Sequence, residues 1–474
     1  MDSKLPLLFV TAISLAWTQP QPPTGLRTEY LVNPEVVDVA RPRFSWVLEH
    51  TERGQRQTAW QILVSTRPEV NVGDVWDSGR VEGAQSTHVT YNGKPLESGR
   101  TYYWKVRWWD AAGQASPYSR PARFTMGLLN PSDWKGRWIG GANQLRKEFN
   151  LPARPVRARA FISGLGYYEL RINGRKVGDH VLDPGWTTYD KRVLYTSYDV
   201  TDLLRQGANA VGIILGQGWY GSRAALLQLN IEMEGGQRTE VVTDASWKVR
   251  QGPILSDSIY DGETYDARLE TPGWDRPGFV DVGWQAATLV DPPKGQLSAQ
   301  MMPPIRVTDT IVPLRMWSPR PGVYVFDMGQ NFAGWCQLRV RGPRGTAVRL
   351  RHAELVYDNG MINVENIRRA RATDTYILRG DGDEEIWEPR FTYHGFRYVE
   401  VTGYPGTPRL DSIRGRVVHT DVKPHGNFVA SKQILNRIQH LILWGIRSNL
   451  HSVPTDCNQR DERMGWMADA HLYT

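Results

Sequence analysis

The ten residues YELRINGRKV, Tyr168 to Val177, indicate the kind of structure this chain forms. Strand-forming residues flank the pair Asn173-Gly174, and side chains on both sides of the pair alternate between apolar and polar. Asn-Gly tolerates the positive φ values of a two-residue hairpin turn. The segment therefore predicts an antiparallel β-hairpin.

The composition of the whole chain agrees with β structure. Its 474 residues are enough for about three domains with more than one core. Hydrophobic residues make up 40% and charged residues 23%, as in ordinary globular proteins. The 45 glycines and 30 prolines, with 19 tryptophans and 20 tyrosines, are typical of turn-rich β structure and disfavour a helical bundle.

Two further regions have strand patterns. Between about 23 and 127, the clearest strands are 43–46, 59–64 and 102–109, and the last of these alternates with period two. This spacing predicts an antiparallel sandwich of the immunoglobulin or fibronectin type III kind. Between about 305 and 420, strands are expected at 323–326, 334–340 and 396–401.

A helix is predicted after these β regions. Ser431 is the expected N-cap, and apolar residues recur at helical spacing from Ile434 to Leu450, with no proline before Pro454. An amphipathic helix must bury its apolar stripe. It either docks on the preceding sandwich or begins an all-helical domain, and an uncovered stripe would lower solubility.

The N-terminal residues predict export. Lys4 precedes an apolar run from Leu5 to Ala16, which has the length of a signal peptide rather than of a membrane span. Asp2 weakens the positively charged start, so a cytoplasmic location is the alternative. No other segment approaches 18 apolar residues, and no membrane association is expected.

Charge and cysteine content exclude other classes. The net charge is +7, but no run of five basic residues marks a nucleic-acid arm, so no nucleic-acid partner is expected. Cys336 and Cys457 are too few for a disulfide scaffold and match no zinc motif. We interpret them as buried thiols and expect no metal at the candidate site.

Functional side chains concentrate in residues 456–469, DCNQRDERMGWMAD, which contain four carboxylates, two guanidiniums and an indole. Breaking a glycosidic bond requires one acid to protonate the leaving oxygen and a second carboxylate to activate water. Glu462 fits the first role. Desolvation by Trp466 and the charge of Asp461 would favour its protonated form, while Arg460 and Arg463 would oppose it.

The other acids of this segment suit sugar binding. Asp456 and Asp469 could accept hydrogen bonds from vicinal sugar hydroxyls, and Arg460 could hold either acid in place. A solvated charged loop is the alternative interpretation of the same residues. The interleaved tryptophan and glycine favour a binding site.

The segment from Ser452 to Ala470 resembles the catalytic signature of bacterial inverting α-L-rhamnosidases, D-C-P-Q-R-D-E-R-x-G-W-x-G-D-A. It departs from that signature at Asn458 and Ala468, and neither position is an acid or an arginine. The stretches FDMGQNFAGW (326–335), RHAE (351–354) and EPRFTYHGFRY (388–398) are similar to the accessory β domains of that family.

The resemblance implies a mainly β fold, with three sandwich or jelly-roll domains followed by the start of an (α/α)6 barrel. By position in the signature, Glu462 corresponds to the general acid, and Asp456, Arg460 and Asp469 to the rhamnose-binding residues; Trp466 is a further candidate for substrate binding. After the predicted signal peptide (1–19), the expected domains are a fibronectin type III or immunoglobulin-like sandwich (20–127), a carbohydrate-binding-like jelly roll (128–304), a β-sandwich (305–424) and the start of the barrel (425–474).

The resemblance also implies the reaction, hydrolysis of terminal α-L-rhamnosides in rhamnose-containing glycans or glycosides. In that family the general base is a glutamate much later in the barrel, and this sequence ends at Thr474. We therefore expect a truncated product or partial gene, inactive by itself. No cofactor is expected, although calcium bound by Asp179, Asp183 and Asp190 is a further hypothesis. The alternatives are a secreted non-catalytic carbohydrate-binding protein and an adhesion protein.

Overall fold

The computed structural model describes residues 20–221 and 223–466, so the predicted signal peptide and Asp469 lie outside the described residues. The chain forms two compact units, one ending at Leu129 and the other beginning at Asn130. From residue 20 onward, the first unit contains eight strands: β1 (Thr24–Thr28), β2 (Arg43–Val47), β3 (Ala59–Ser65), β4 (Trp76–Asp77), β5 (Val81–Glu82), β6 (Val89–Thr90), β7 (Thr101–Trp109) and β8 (Ala122–Thr125).

The first unit is an antiparallel sandwich, as predicted. One sheet has the order β1-β2-β6, and the other has β4-β3-β7-β8 with β5 beside β3. The core follows the alternation of β7, because Tyr102, Trp104, Val106 and Trp108 are buried while Lys105 is partly exposed. Phe44 of β2 packs against Trp104, with ring centroids 4.5 Å apart. Period-two patterning thus defines the buried face of this unit.

The second unit is larger and also consists mainly of strands. Its strands are β9 (Ile139–Gly140), β10 (Gln144–Leu151), β11 (Pro155–Leu165), β12 (Tyr167–Ile172), β13 (Arg175–Lys176), β14 (Arg192–Asp199), β15 (Gly207–Gly216), β16 (Ala224–Met233), β17 (Arg238–Val242), β18 (Lys248–Arg250), β19 (Ile254–Ser258), β20 (Gly262–Asp266), β21 (Gln285–Ala286), β22 (Thr288–Leu289), β23 (Gln296–Ala299), β24 (Ile305–Ile311), β25 (Arg315–Arg320), β26 (Val323–Val340), β27 (Ala347–Ala353), β28 (Leu355–Val356), β29 (Ile362–Asn363), β30 (Thr373–Ile377), β31 (Glu385–Trp387), β32 (His394–Thr402), β33 (Ile413–Thr420), β34 (Leu450–His451) and β35 (Val453–Pro454). Short 3-10 helices lie at Pro131–Asp133, Thr201–Leu203, Glu234–Gly236, Ala267–Leu269, Glu365–Ile367 and Leu410–Ser412.

Two sheets form the first part of this unit. Their orders are β13-β12-β15-β10-β18-β21 and β22-β9-β16-β11-β14-β23, with β17 beside β16. The predicted hairpin is confirmed, because β12 pairs with β13 and the turn residues Asn173 and Gly174 have φ values of 50° and 85°. Ile162, Leu170 and Leu227 belong to the buried core that the two sheets share.

A ten-stranded sheet forms the later part. Its path is β19-β20-β30-β27-β32-β26-β33-β24, and β25 and β31 pair with β26. The predicted strands 323–326 and 334–340 are one bulged strand, β26. A single apolar core joins Phe326 and Phe396 of this sheet to Tyr167 of the preceding sheets. The division of the second unit into the predicted domains therefore stays a prediction.

The predicted helix is present as α1 (Gln433–Ser448). Its N-cap is Lys432, without a side-chain cap, so Ser431 as the N-cap was wrong, and Leu450 lies beyond the helix in β34. Trp444 packs on the core of the ten-stranded sheet. The apolar stripe is exposed at Ile434, Leu435, Ile438, Leu441, Ile442 and Leu443. Among the described residues, no helix has the length and apolar character needed to cross a membrane.

Candidate functional site

The predicted site segment follows α1 and folds back on itself. Strands β34 and β35 form a tight antiparallel pair around Ser452, whose φ is 69°. The Thr455 amide donates to the Asn449 carbonyl at 2.7 Å, and the Asp456 amide donates to the Met464 carbonyl at 2.9 Å. These bonds bring both ends of residues 456–464 together, so the intervening charged side chains occupy one small region.

Arg463 anchors this segment to the ten-stranded sheet. Its side chain is fully buried, Nη1 donates to the carbonyls of Ile259 and Tyr393, and the guanidinium carbon lies 4.6 Å from the Tyr393 ring centroid. Burial lowers the pKa of Arg463 below its ordinary value. The predicted effect of the Arg463 charge on Glu462 was wrong about the position of this side chain, because the guanidinium contacts the sheet instead.

Asn458 and His451 complete the anchor. Asn458 is buried, and its Nδ2 donates to the Ser448 carbonyl at 2.8 Å. The His451 ring stacks on Tyr393 with centroids 3.9 Å apart, and its Nε2 lies 2.9 Å from the Val418 carbonyl. Burial, together with the Arg463 charge, lowers the pKa of His451 to about 3, so this ring is neutral near pH 7. The departure from the family signature at Asn458 thus supplies a buried hydrogen bond.

The predicted acid and sugar-binding residues meet around Arg460. Its Nε donates to Glu462 Oε2 at 2.7 Å, and its Nη2 lies 2.6 Å from the same oxygen and 3.6 Å from Asp456 Oδ2. Arg368 Nη1 is 3.4 Å from Glu462 Oε2. The three side chains of the cluster are each about one-fifth to one-quarter exposed, so solvent reaches the carboxylates. Arg460 therefore holds Asp456, one of the two sugar-binding acids predicted to be its partners, and it also holds Glu462.

Both arginines contact one oxygen of Glu462. Every contact of the Glu462 carboxylate among the described residues involves Oε2. The Glu462 main-chain carbonyl accepts a hydrogen bond from Tyr260 Oη at 3.2 Å, and Asp461 pairs with Arg369 Nε at 3.1 Å. The neighbouring acids thus have separate partners, and Oε1 of Glu462 is left without a protein partner in the described part of the chain.

Cys457 lies beside these acids as a half-buried thiol, so its interpretation as a buried thiol was wrong, whereas that of Cys336 is confirmed. Its Sγ donates to Asp456 Oδ2 at 3.1 Å. Burial and the Asp456 carboxylate raise the pKa of Cys457 to about 12, so it is protonated at neutral pH and a poor nucleophile. Three potential ligand atoms lie within 4.8 Å of one another here, one each from Asp456, Cys457 and Glu462. A metal ion could bridge this spacing after the thiol loses its proton.

A second cluster of ligand-type side chains lies inside the ten-stranded sheet. His352, Asp374 and His394 are buried, with ligand atoms within 4.8 Å of one another. His394 Nε2 lies 3.1 Å from Asp374 Oδ2, and Asp374 Oδ1 accepts the Glu263 amide at 2.9 Å. Burial and His394 lower the pKa of His352 to about 3. This cluster forms a hydrogen-bonded part of the core.

The aspartates of the calcium hypothesis have protein partners or face solvent. Asp179 Oδ2 accepts Arg306 Nε at 2.9 Å, and Asp190 is exposed. Asp183 Oδ2 accepts Tyr198 Oη at 2.9 Å, and its Oδ1 accepts Gln300 Nε2 at 3.1 Å. Calcium binding by these residues stays a prediction.

Sequence reasoning identified part of this arrangement. Trp466 is 54% exposed, which differs from the expected shielding of Glu462, and Asp469 lies outside the described residues. The contacts of Arg368 and Tyr260 with Glu462 were missed because both residues are distant in sequence. The run of arginines at 368, 369 and 371 was the available signal, but it indicates no partner by itself.

Four family models match consecutive parts of the chain. They are a Rha78A-like N-terminal immunoglobulin domain (23–130), an alpha-L-rhamnosidase N-terminal domain (153–309), a bacterial alpha-L-rhamnosidase concanavalin-like domain (318–419) and a bacterial alpha-L-rhamnosidase 6 hairpin glycosidase domain (423–474). This order defines a multidomain chain of the glycosidase type. The chain belongs to the bacterial α-L-rhamnosidase family, and its predicted mainly β fold is confirmed.

Individual relatives agree with this assignment. Proteins named alpha-L-rhamnosidase from Streptomyces avermitilis and Formosa agariphila are 33% and 36% identical over 95% and 92% of this chain. The structure of alpha-L-rhamnosidase from Dictyoglumus thermophilum is 47% identical, with a TM-score of 0.92, and covers 95% of this chain and 54% of its own. The Streptomyces avermitilis enzyme complexed with L-rhamnose is 32% identical, with a TM-score of 0.92 over 95% of this chain and 62% of its own. This chain spans 62% of the length of the Streptomyces avermitilis relative and 51% of the length of the Formosa agariphila relative.

Proposed function

We propose that this chain contributes the accessory β domains and the acid-bearing part of the active site of an α-L-rhamnosidase, which hydrolyses terminal α-L-rhamnosides with inversion. The observation that carries the proposal is the Asp456–Arg460–Glu462 cluster, held by Arg463 and Asn458 against the sheet. Family membership supplies the reaction type, and the partly exposed carboxylates supply groups suited to sugar hydroxyls and to a leaving oxygen.

Each member of the cluster has a distinct proposed role. Glu462 donates the proton to the glycosidic oxygen, while Asp456 accepts hydrogen bonds from hydroxyls of the rhamnose. Arg460 positions both carboxylates, because its guanidinium lies between them. Trp466 offers an exposed ring for the apolar face of the sugar, and Asp469 is proposed as a further hydroxyl acceptor.

Asp456 and Asp461, the acids nearest to Glu462 in sequence, do not fit the role of a water-activating base. Inverting glycosidases separate their two carboxylates by about 6.5–9.5 Å to leave room for water. Asp456 and Glu462 have carboxylate oxygens within 4.8 Å, and Asp461 is paired with Arg369. We therefore propose that the 474-residue polypeptide alone releases no rhamnose from p-nitrophenyl α-L-rhamnopyranoside.

A chimera tests the catalytic proposal. Residues 20–466 of this chain would replace the matching part of the Dictyoglumus thermophilum protein, to which they are 47% identical. The chimera should hydrolyse the aryl rhamnoside with β-L-rhamnose as the first product, seen by NMR. Glu462→Gln should reduce kcat by about 100-fold or more, whereas Glu240→Gln, at an exposed position, should not.

Two outcomes of this experiment would contradict the proposed role of Glu462. A folded chimera that is inactive, or one whose rate survives Glu462→Gln, would contradict the proposed role. A chimera that binds rhamnose without turnover would favour the alternative of a non-catalytic carbohydrate-binding protein. Export directed by the apolar run from Leu5 to Ala16 remains part of the proposal, and N-terminal sequencing of secreted protein tests it.

A further inference from the structure

A groove of about 590 Å³ lies on the solvent-facing side of the ten-stranded sheet. Two rows of side chains cross it. The first row runs through Thr264, Thr375, Arg349 and Thr402, and the second runs through Thr373, Arg351 and Glu400, as the strand register shows. Because same-face residues on one strand are about 6.7 Å apart, Arg349 and Arg351 form a short ladder of guanidiniums.

The arginine groove, named for the three arginines that line it, contains charges without ion-pair partners among residues 20–221 and 223–466. Arg349, Arg351 and Arg371 line it, and within the described ranges none of the three forms an ion pair. Glu400, 8% exposed, also lines it, and its Oε2 is buried without a hydrogen-bond partner in the described part of the chain. Asp261 adds a carboxylate at the rim and accepts the Arg371 amide at 3.1 Å. The groove carries a net charge of about one positive unit.

Unpartnered buried polar atoms are costly, and most are satisfied in folded proteins. The groove combines guanidiniums, which bind anions in a bidentate manner, with a carboxylate and threonine hydroxyls, which suit ligand hydroxyl groups. None of the described residues that line it is aromatic, so these residues offer nucleic-acid bases no stacking surface. A ligand with both an anionic group and several hydroxyls satisfies this set of groups best.

The groove adjoins the acid cluster through two segments. Arg368 and Arg369 contact Glu462 and Asp461, while the next residues, 370 and 371, line the groove. Tyr260 contacts the Glu462 carbonyl, and the following Asp261 lines the groove. A saccharide chain that reaches the acid cluster could therefore continue into the groove.

We propose that the arginine groove is a second binding site, for an anionic oligosaccharide whose carboxylate or sulfate group pairs with Arg349 and Arg351 and whose hydroxyls meet Glu400. The link to a rhamnose-bearing chain rests on the proposed function, whereas binding of the anionic saccharide does not. The chemistry of the groove defines the class of ligand. A binding measurement tests this class and does not require catalytic turnover.

The test is calorimetric titration of the 474-residue chain with tetragalacturonate, its methyl ester and a sulfated tetrasaccharide at low salt. We expect binding of at least one anionic tetrasaccharide, a loss of at least tenfold for the neutral ester, and weakening by added salt. Arg349→Gln/Arg351→Gln should lower the affinity at least tenfold. The control, Arg320→Gln/Arg341→Gln, removes the same charge from exposed positions and should retain the affinity.

Each of these binding measurements either supports or overturns the proposed site. Binding of only the carboxylated or only the sulfated probe supports the site and identifies its anion. Equal binding of the methyl ester, equal losses in both double variants, or tighter binding of a single-stranded oligonucleotide would overturn the proposal. Glu400→Gln gives a second measurement, because exchange of one acceptor oxygen for an NH2 donor should weaken the contacts with ligand hydroxyls even where the arginines are intact. Circular dichroism of each variant verifies folding.

Discussion

Gly395 allows the site segment to dock on the sheet, and Gly395→Ala should release it. Gly395 lies in β32, and a Cβ built there would overlap Asn458 Oδ1 and lie 2.7 Å from Asn458 Cγ. Asn458 is buried and cannot move into solvent without breaking its 2.8 Å hydrogen bond to the Ser448 carbonyl. The substitution therefore acts on residues 449–464 rather than on the sheet itself.

The expected magnitude follows from two terms. Overpacking a fitted contact costs about 1–3 kcal/mol. Loss of the buried Asn458 bond costs about 1 kcal/mol more. The net change in the free energy of local opening is about 2–4 kcal/mol, or roughly 30- to 900-fold in the opening equilibrium.

Hydrogen exchange measures this opening directly. The amides of Thr455 and Asp456 are bonded within the segment, so their exchange should accelerate by about that factor in Gly395→Ala. Gly426→Ala is the matched control, because an added Cβ at Gly426 meets no atom within 4 Å.

A double variant isolates the contact. In Asn458→Ala the clashing amide is gone, so adding Gly395→Ala should cost at least about 1 kcal/mol less than in the wild type. The rescue should be partial, since Gln459 Cβ lies 3.1 Å from the built Cβ. Unchanged exchange in Gly395→Ala, or strictly additive effects, would refute docking through this contact.

Two further predictions concern stability and solubility. His352 and His451 have pKa values lowered to about 3 by burial, so between pH 6.5 and 3 only the unfolded chain protonates them, and the unfolding free energy should fall by about 1.4 kcal/mol per pH unit for each as pH decreases. Thermal unfolding of His451→Gln should depend less steeply on pH from 7 to 5 than that of the wild type, and equal slopes would contradict this. Ile438→Glu/Leu441→Glu on the exposed face of α1 should reduce binding of a hydrophobic dye roughly twofold or more with little change in melting temperature. An unchanged dye signal would show that other apolar surface dominates.

Local sequence patterns predicted the local elements. The alternation around Asn173-Gly174 and along β7 depends on backbone and burial preferences of adjacent residues, which the sequence displays directly. The predicted end of the helix was wrong, because helical spacing continues to Leu450 while the chain turns into β34. Lys432 as N-cap has no side-chain capping bond, so no capping residue marks the start.

Long-range partners in the site were beyond such patterns. Arg463 was expected to face Glu462 because it is adjacent in sequence, yet its guanidinium lies over Tyr393, 70 residues away. Arg368 approaches Glu462 from a loop 94 positions earlier in the numbering. Such pairings depend on the register of β27, β30 and β32, which no single stretch of sequence determines.

The contacts of Glu462 bear on whether a paired carboxyl can serve as a proton donor. A carboxylate whose two oxygens both accepted guanidinium hydrogen bonds would have no oxygen left to carry the transferred proton. Here Arg460 and Arg368 both contact Oε2, and in the described residues Oε1 has no protein partner. The charged contacts therefore orient the carboxyl through one oxygen and leave the other without a protein contact in the described part of the chain, as the proposed role of general acid requires. Ion pairing at Oε2 and donation from Oε1 are thus compatible, and the side chain is exposed enough for a sugar to reach it.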